Sequence, residues 1–394
     1  MHILILGGDG YLGWPTAMYF SGKGHDVTVV DNYFRRNACT ELDCGTLFHV
    51  PSLSERAAIW QEKTGYTIQV VIGDLTDPEV MRSFFTGDVT YQWPSNGAVC
   101  APPDTVIHYA EQPSAPYSLL NYKYANTTIS NNLLVTNNLM FALKDLKPDT
   151  HVIHIGTMGE YGTPNIDIEE GWLEVEHKGR KDTFLFPRQA SSIYHTSKIM
   201  DTDLMWFAVR TWKLRITNLM QGPVYGLETD ESKIDSRLKT IFNYDEIFGT
   251  VVNRFITQAI VGYPLTVYGQ GGQTRGYLNI KDTLQCVGKA VQTPAKQGEF
   301  RFFNQIMETF TVRELAELTC TVGRSLGYDV VIRSVENPRK EAEEHYYNPV
   351  YHGLLDIGVI PHYLTEEVMK EIFLLIAPFK DAIRKDVIFK GIKW

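Results

Sequence analysis

Tyr194 and Lys198 stand four residues apart at the start of a stretch that reads as a helix through Trp212, so the two side chains share one face. An ammonium beside a phenol favours the phenolate, and a phenolate can draw a proton from a hydroxyl while a hydride leaves the carbon that bears it. Tyr-x-x-x-Lys recurs by chance in many helices, so its surroundings decide. Thr157 follows an apolar strand at 151–155 and offers a hydroxyl for the same oxygen. Two further proton carriers are close in sequence, Glu160 and His195. Each also has an ordinary reading, as a buried hydrogen-bonded acid and as a packed helix histidine.

Hydride chemistry needs an acceptor, and the first residues of the chain supply a place for one. Ile3 to Leu6 form a continuous apolar run, the pattern of a strand buried on both faces of a parallel sheet. Gly7, Gly10 and Gly13 follow at three-residue intervals, suited to a tight turn, close approach of a pyrophosphate, and close packing of the next helix. Tyr11 and Leu12 open that helix, whose free N–H groups face phosphates. The second strand, 25–30, leads to Asp31 and Asn32. An acid about 20 residues after the glycines is placed to hold both ribose hydroxyls and to repel a 2′-phosphate, which selects NAD. Arg35 and Arg36 follow in a loop as guanidinium groups able to accept such a phosphate, while the carboxylate that ends the strand favours NAD.

The elements that must position these groups alternate strand and helix: an α/β chain with a Rossmann-type doubly wound parallel sheet and a smaller C-terminal substrate lobe. The expected division is 1–225 for the NAD-binding part, with a returning segment near 276–290, and 226–394 for the second lobe. Strand ends at 66–72, 105–109 and 214–219 gather further cofactor contacts: Asp74 and Leu75, then Tyr109, Ala110 and Glu111, then Gln221 and Val224. Asn131 joins them from a long helix at 119–146. Substrate contacts are expected from Gln112, Tyr117, Thr157, Gln221, Thr250, Arg254, Tyr268, Gln273, Arg275, Arg339 and Tyr346, with Arg275 and Arg339 as a diphosphate clamp. The segment 87–104 reads as an insertion loop, and 230–244 as a polar, mobile stretch.

The 394 residues carry 44% hydrophobic and 21% charged side chains, ordinary for a globular protein. A net charge of -9 argues against nucleic acid and anionic membrane as partners. No apolar run approaches a membrane span, and a cytoplasmic location is expected. Five cysteines without a CxxC pair read as reduced thiols, and no metal is expected.

GGDGYLG at 7–13, YHTSK at 194–198 and VYG followed by GGQTRGYLNIKD resemble the extended short-chain dehydrogenase/reductases that act on nucleotide sugars. GTMGEYGTPNIDIEEG at 156–171, EQPSAPYS at 111–118 and NPRKEAEEHYYN at 337–348 are closely similar to the UDP-sulfoquinovose synthase family within them. That resemblance implies NAD in the first lobe, UDP-glucose in the second, and sulfite, free or brought by a delivering protein, joined to carbon 6 of the sugar. It implies a homodimer paired through the helices at 119–146 and 192–212. The alternatives are a UDP-glucose 4-epimerase or 4,6-dehydratase, or a nucleotide-binding relative without catalysis. Related dehydratases carry an Asp-Glu pair directly after the threonine, where this chain has Met158-Gly159. Plant-type members have an arginine where this chain has Pro113.

Overall fold

The computed structural model describes residues 1–86, 101–337 and 346–392. Most of the expected 87–104 insertion and Arg339 of the expected clamp lie outside them.

The strands are β1 (His2–Leu6), β2 (Asp26–Asp31), β3 (Ile68–Ile72), β4 (Thr105–His108), β5 (His151–Thr157), β6 (Trp172–His177), β7 (Arg180–Leu185), β8 (Arg215–Gln221), β9 (Val224–Tyr225), β10 (Leu265–Tyr268), β11 (Thr274–Asn279), β12 (Phe300–Gln305), β13 (Glu308–Thr311) and β14 (Ile332–Val335). Seven of them build one parallel sheet in the order β12-β8-β5-β4-β1-β2-β3. The order reverses beside β1, and crevices at such a switch point collect ligands. In β1, Leu4 and Leu6 pack into the core on one face while Ile3 and Ile5 pack on the other, as an apolar run without alternation requires.

Helices α1 (Gly13–Ser21), α2 (Phe34–Glu41), α3 (Leu53–Thr64), α4 (Pro78–Thr86), α5 (Ala115–Leu119), α6 (Tyr122–Leu146) and α7 (Ile193–Trp212) accompany the first strands. Local chemistry sets their ends. Ser52 and Glu55 form a reciprocal capping box on α3, which stops at Gly65 in a left-handed conformation. Ser192 caps α7 by accepting from His195 N at 3.1 Å, so Tyr194 and His195 fall in the first helical turn. The second lobe contains α8 (Val251–Ile260), a three-stranded sheet β13-β11-β9 and the pair β10-β14.

The segment near 276–290 returns to the first part of the chain, where Ile280, Cys286, Val287 and Ala290 pack with Ile3 and Ile5 of β1, and Phe300–Gln305 then adds the edge strand of the main sheet. Two features depart from expectation. The 230–244 stretch is not loose: Leu238, Ile241, Phe242 and Tyr244 are buried in it. It is held against the glycine turn, since Trp14 Nε1 donates to Leu238 O at 2.9 Å and Thr240 Oγ1 to Tyr11 O at 2.7 Å. Its polar residues serve turns and most of its scattered apolar ones face inward, with Ile234 left exposed, a pattern without helix or strand period. The antiparallel hairpin of β6 and β7 was also not foreseen. No described helix is long and apolar enough to cross a membrane.

Candidate active site

The strand ends and the second lobe enclose a cavity of about 880 Å³. Gly7, Gly10, Tyr11, Leu12 and Gly13 line it together with Asp31, Asn32, Arg35, Asp74, Leu75, Tyr109, Ala110, Glu111, Asn131, Gln221 and Val224. The glycines divide their work. A side chain at Gly7 would strike the Tyr109 carbonyl carbon at 2.7 Å, and one at Gly13 the Gly7 oxygen at 2.0 Å. At Gly10 the nearest atom is that same oxygen at 3.4 Å, which leaves bare backbone facing the cavity.

Asp31 ends β2 with its carboxylate already oriented. Oδ2 accepts from Asp9 N at 2.9 Å and Oδ1 from Tyr33 N at 2.7 Å, which leaves each oxygen a lone pair for a hydroxyl. Burial and the charge of Asp9 push its carboxyl up to about 6, so it is charged at neutral pH. A dinucleotide with a free ribose diol fits these donors and acceptors.

Thr157 at the end of β5 and Tyr194 at the start of α7 both line the cavity, and the Thr157 side chain favours the phenolate of Tyr194. Tyr194 N donates to Ser118 Oγ at 3.1 Å, which fixes the helix start to α5. His195 also lines the cavity, with Nδ1 3.0 Å from Ser191 Oγ. Its ring lies over Gly159, where a side chain would begin 2.3 Å from Nε2.

Lys198 departs from the expectation of an ammonium lowering the tyrosine. It is fully buried and does not line the cavity; its Nζ pairs with Glu111, lies 2.7 Å from His154 Nε2 and 3.9 Å from Asp201 Oδ2. Burial pushes the Tyr194 phenol up, and the negative charges of Glu111 and Glu160 add to it. Around Lys198, burial lowers the His154 imidazole and, with Glu111 beside it, pushes the Asp201 carboxyl well up. Burial opposes ionisation of Glu111 too, but Lys198 and His154 outweigh it and hold that carboxyl below its usual range.

Glu160 is not at the cavity wall. It is buried behind Thr157, accepting from Thr157 N at 3.1 Å and Thr202 Oγ1 at 2.9 Å, with Arg188 Nε 3.3 Å away. Burial raises its carboxyl.

Thr250, Arg254, Tyr268, Gln273 and Arg275 line the cavity from the second lobe, with Tyr268 OH donating to Glu246 Oε1 at 2.8 Å. Four expected contacts are placed elsewhere. Arg36 is closed on Asp9 in an ion pair. Gln112 is buried and accepts from Ser114 N while donating to Thr128 Oγ1 at 2.8 Å, so it shapes the 111–118 loop from behind. Tyr117 packs among Phe34, Tyr124 and Phe248. Tyr346 is exposed and bonded to Asp167, while its neighbour Tyr347 lines the cavity. In an irregular segment no period tells which of two adjacent tyrosines turns inward. Ser191, Glu246 and Phe248 line the cavity without having been singled out. The apolar Phe248 and the acid Glu246 carry no motif that marks them.

The family model described as the NAD dependent epimerase/dehydratase family matches residues 3–304. The chain is 45% identical over 392 residues to the chloroplastic UDP-sulfoquinovose synthase of Spinacia oleracea, covering 100% of this chain and 79% of that protein. It is 40% identical over 397 residues to the UDP-sulfoquinovose synthase of Sulfolobus acidocaldarius, covering 100% and 98%. In fold it resembles the UDP-glucose 4-epimerase from Bifidobacterium longum, solved in complex with NAD+ and UDP, with a TM-score of 0.69 at 18% identity, over 97% of this chain and 99% of that one. A cofactor turn, a Thr157 and Tyr194 pair and full-length identity of this order place the chain in the NAD dependent epimerase/dehydratase family and, within it, among the UDP-sulfoquinovose synthases.

Proposed function

We propose that the protein converts UDP-glucose and sulfite to UDP-sulfoquinovose and water, with NAD as a cofactor that is returned unchanged. The observation that carries this reading is that Thr157 and Tyr194 stand on the wall of the same cavity as the glycine turn and Asp31, in a chain of this family. When bound, NAD supplies the acceptor for the hydride of carbon 4 and gives it back to the same carbon.

The residues of the chain handle the protons. Tyr194, in its phenolate form with its own proton already given to solvent, takes the 4-hydroxyl proton while Thr157 holds that oxygen. The resulting 4-ketone acidifies the proton on carbon 5. Loss of that proton and of the 6-hydroxyl as water leaves a 4-keto-5,6-ene, and sulfite sulfur adds to carbon 6 while carbon 5 regains a proton. His195 is the carrier for these transfers, since it lines the cavity and Glu160 does not. Its ring fills the space over Gly159 that a glutamate there would need, which accounts for Met158-Gly159 in place of an Asp-Glu pair.

Arg254 and Arg275 hold the diphosphate from the second lobe. Two copies pair through α6 and α7: Leu134 and Phe141 on one helix, Met200 and Phe207 on the other, are exposed at seven-residue spacing and form two apolar stripes.

Purified protein incubated with UDP-glucose, with and without sulfite, tests the reading by mass spectrometry of the nucleotide sugar. A sulfonated product that requires sulfite is expected. A species lighter by one water, unchanged by sulfite, would make the protein a dehydratase instead.

A further inference from the structure

Arg35 and Arg36 follow closely on Asp31, the carboxylate that discriminates ribose from its 2′-phosphate, and guanidinium groups are the usual receptors for such a phosphate. The structure shows where both are engaged. Arg35 lies over the Phe248 ring at 3.7 Å and donates to Asn243 Oδ1 at 2.9 Å. Arg36 is closed on Asp9, the residue inside the glycine turn. Its Nε donates to Asp9 Oδ2 at 2.6 Å and its Nη2 to Oδ1 at 2.8 Å, a two-bond fork. Its remaining bonds go to the carbonyls of Val50 at 2.6 Å and Pro51 at 2.7 Å.

Asp9 is 1% exposed and is also bound by the fully buried Arg56, whose Nη2 donates to Oδ1 at 2.6 Å. Its backbone N–H meanwhile donates to Asp31 Oδ2. One residue therefore touches the discriminating carboxylate through its main chain and occupies the neighbouring guanidinium fork through its side chain. A phosphate would need that same fork, because the planar donor pair that matches a carboxylate matches a phosphate as well.

We infer that Asp9 is a specificity-determining residue: by holding Arg36 closed beside Asp31, it denies a ribose 2′-phosphate its cation and so restricts the site to NAD over NADP. The inference rests on the reading of NAD as cofactor.

The test equilibrates the protein with equal NAD+ and NADP+, separates it from free nucleotide, denatures it and measures which nucleotide is released by chromatography. Wild type is expected to release NAD+ in large excess. Asp9→Ser combined with Arg56→Met removes the competing carboxylate without leaving Arg56 uncompensated, and the NADP+ to NAD+ ratio is expected to rise about tenfold or more, the weight of a charge-assisted bond. Asp9→Asn, which keeps the shape, is expected to shift the ratio the same way by less. Adding Arg36→Gln to the first variant is expected to abolish the gain. Folded variants whose ratio equals that of wild type overturn the inference alone, as does a gain that survives Arg36→Gln. Wild type that retains neither nucleotide overturns the NAD reading and the inference with it.

Discussion

Lys198 is ion-paired to Glu111 in a space where the lysine is fully buried and the glutamate side chain is 7% exposed. A buried pair of this kind is neutral or weakly stabilising as a pair, but removing one member leaves an uncompensated charge. Glu111→Gln is therefore expected to lower the unfolding free energy by about 3–5 kcal/mol. Glu111→Gln with Lys198→Met is expected to be more stable than Glu111→Gln alone. Urea unfolding of the three proteins checks this, and a Glu111→Gln midpoint equal to wild type would contradict the pairing.

Tyr194→Phe removes one hydroxyl from the cavity wall while keeping the ring. Turnover with UDP-glucose and sulfite is expected to fall by about 10²–10⁴, the usual weight of a positioned proton carrier, with UDP-glucose binding within a few-fold of wild type. Calorimetric binding and product formation measure the two separately. Turnover that survives the change rules out the proposed hydride step.

His195 and Glu160 are distinguished by an isotope experiment. In deuterated water the hydrogen of carbon 5 exchanges with solvent when the 4-ketone forms. His195→Gln is expected to slow that exchange by about 10²–10⁴. Glu160→Gln, which acts on a buried carboxyl behind Thr157, is expected to lower thermal stability more than exchange. Loss of exchange in Glu160→Gln alone would reverse the assignment.

Asp31 makes NAD affinity pH-dependent. Its carboxyl is pushed up to about 6 by burial and by Asp9, and only the charged form accepts from both ribose hydroxyls. Binding is thus expected to be at its plateau above about pH 6 and to weaken as pH falls below it, approaching about tenfold per unit. Titration of NAD binding between pH 5 and 8 measures the slope. Asp31→Asn is expected to bind more weakly and to lose it.

Light scattering is expected to show a dimer. Phe207→Glu, which places a charge in the exposed stripe of α7, is expected to give a folded monomer.

Local sequence determined the outline because its signals are short-range. Four apolar residues before three spaced glycines set β1 and the turn, Ser52 with Glu55 and Ser192 set helix starts, and spacing put Thr157, Tyr194 and His195 at the ends of elements that open on one crevice. What a side chain meets after folding was not legible in that way. Lys198 shares a helical face with Tyr194, but Glu111 comes from a distant loop to take its charge. Arg36 is near Asp31 in sequence, yet Asp9 and the carbonyls of Val50 and Pro51 claim its donors. Glu160 stands close to Thr157 and turns back beneath it, while the ring of His195 takes the space over Gly159. Spacing fixes which residues can meet within one element; pairing between elements depends on burial and charge balance in three dimensions, and only the tertiary structure decides it.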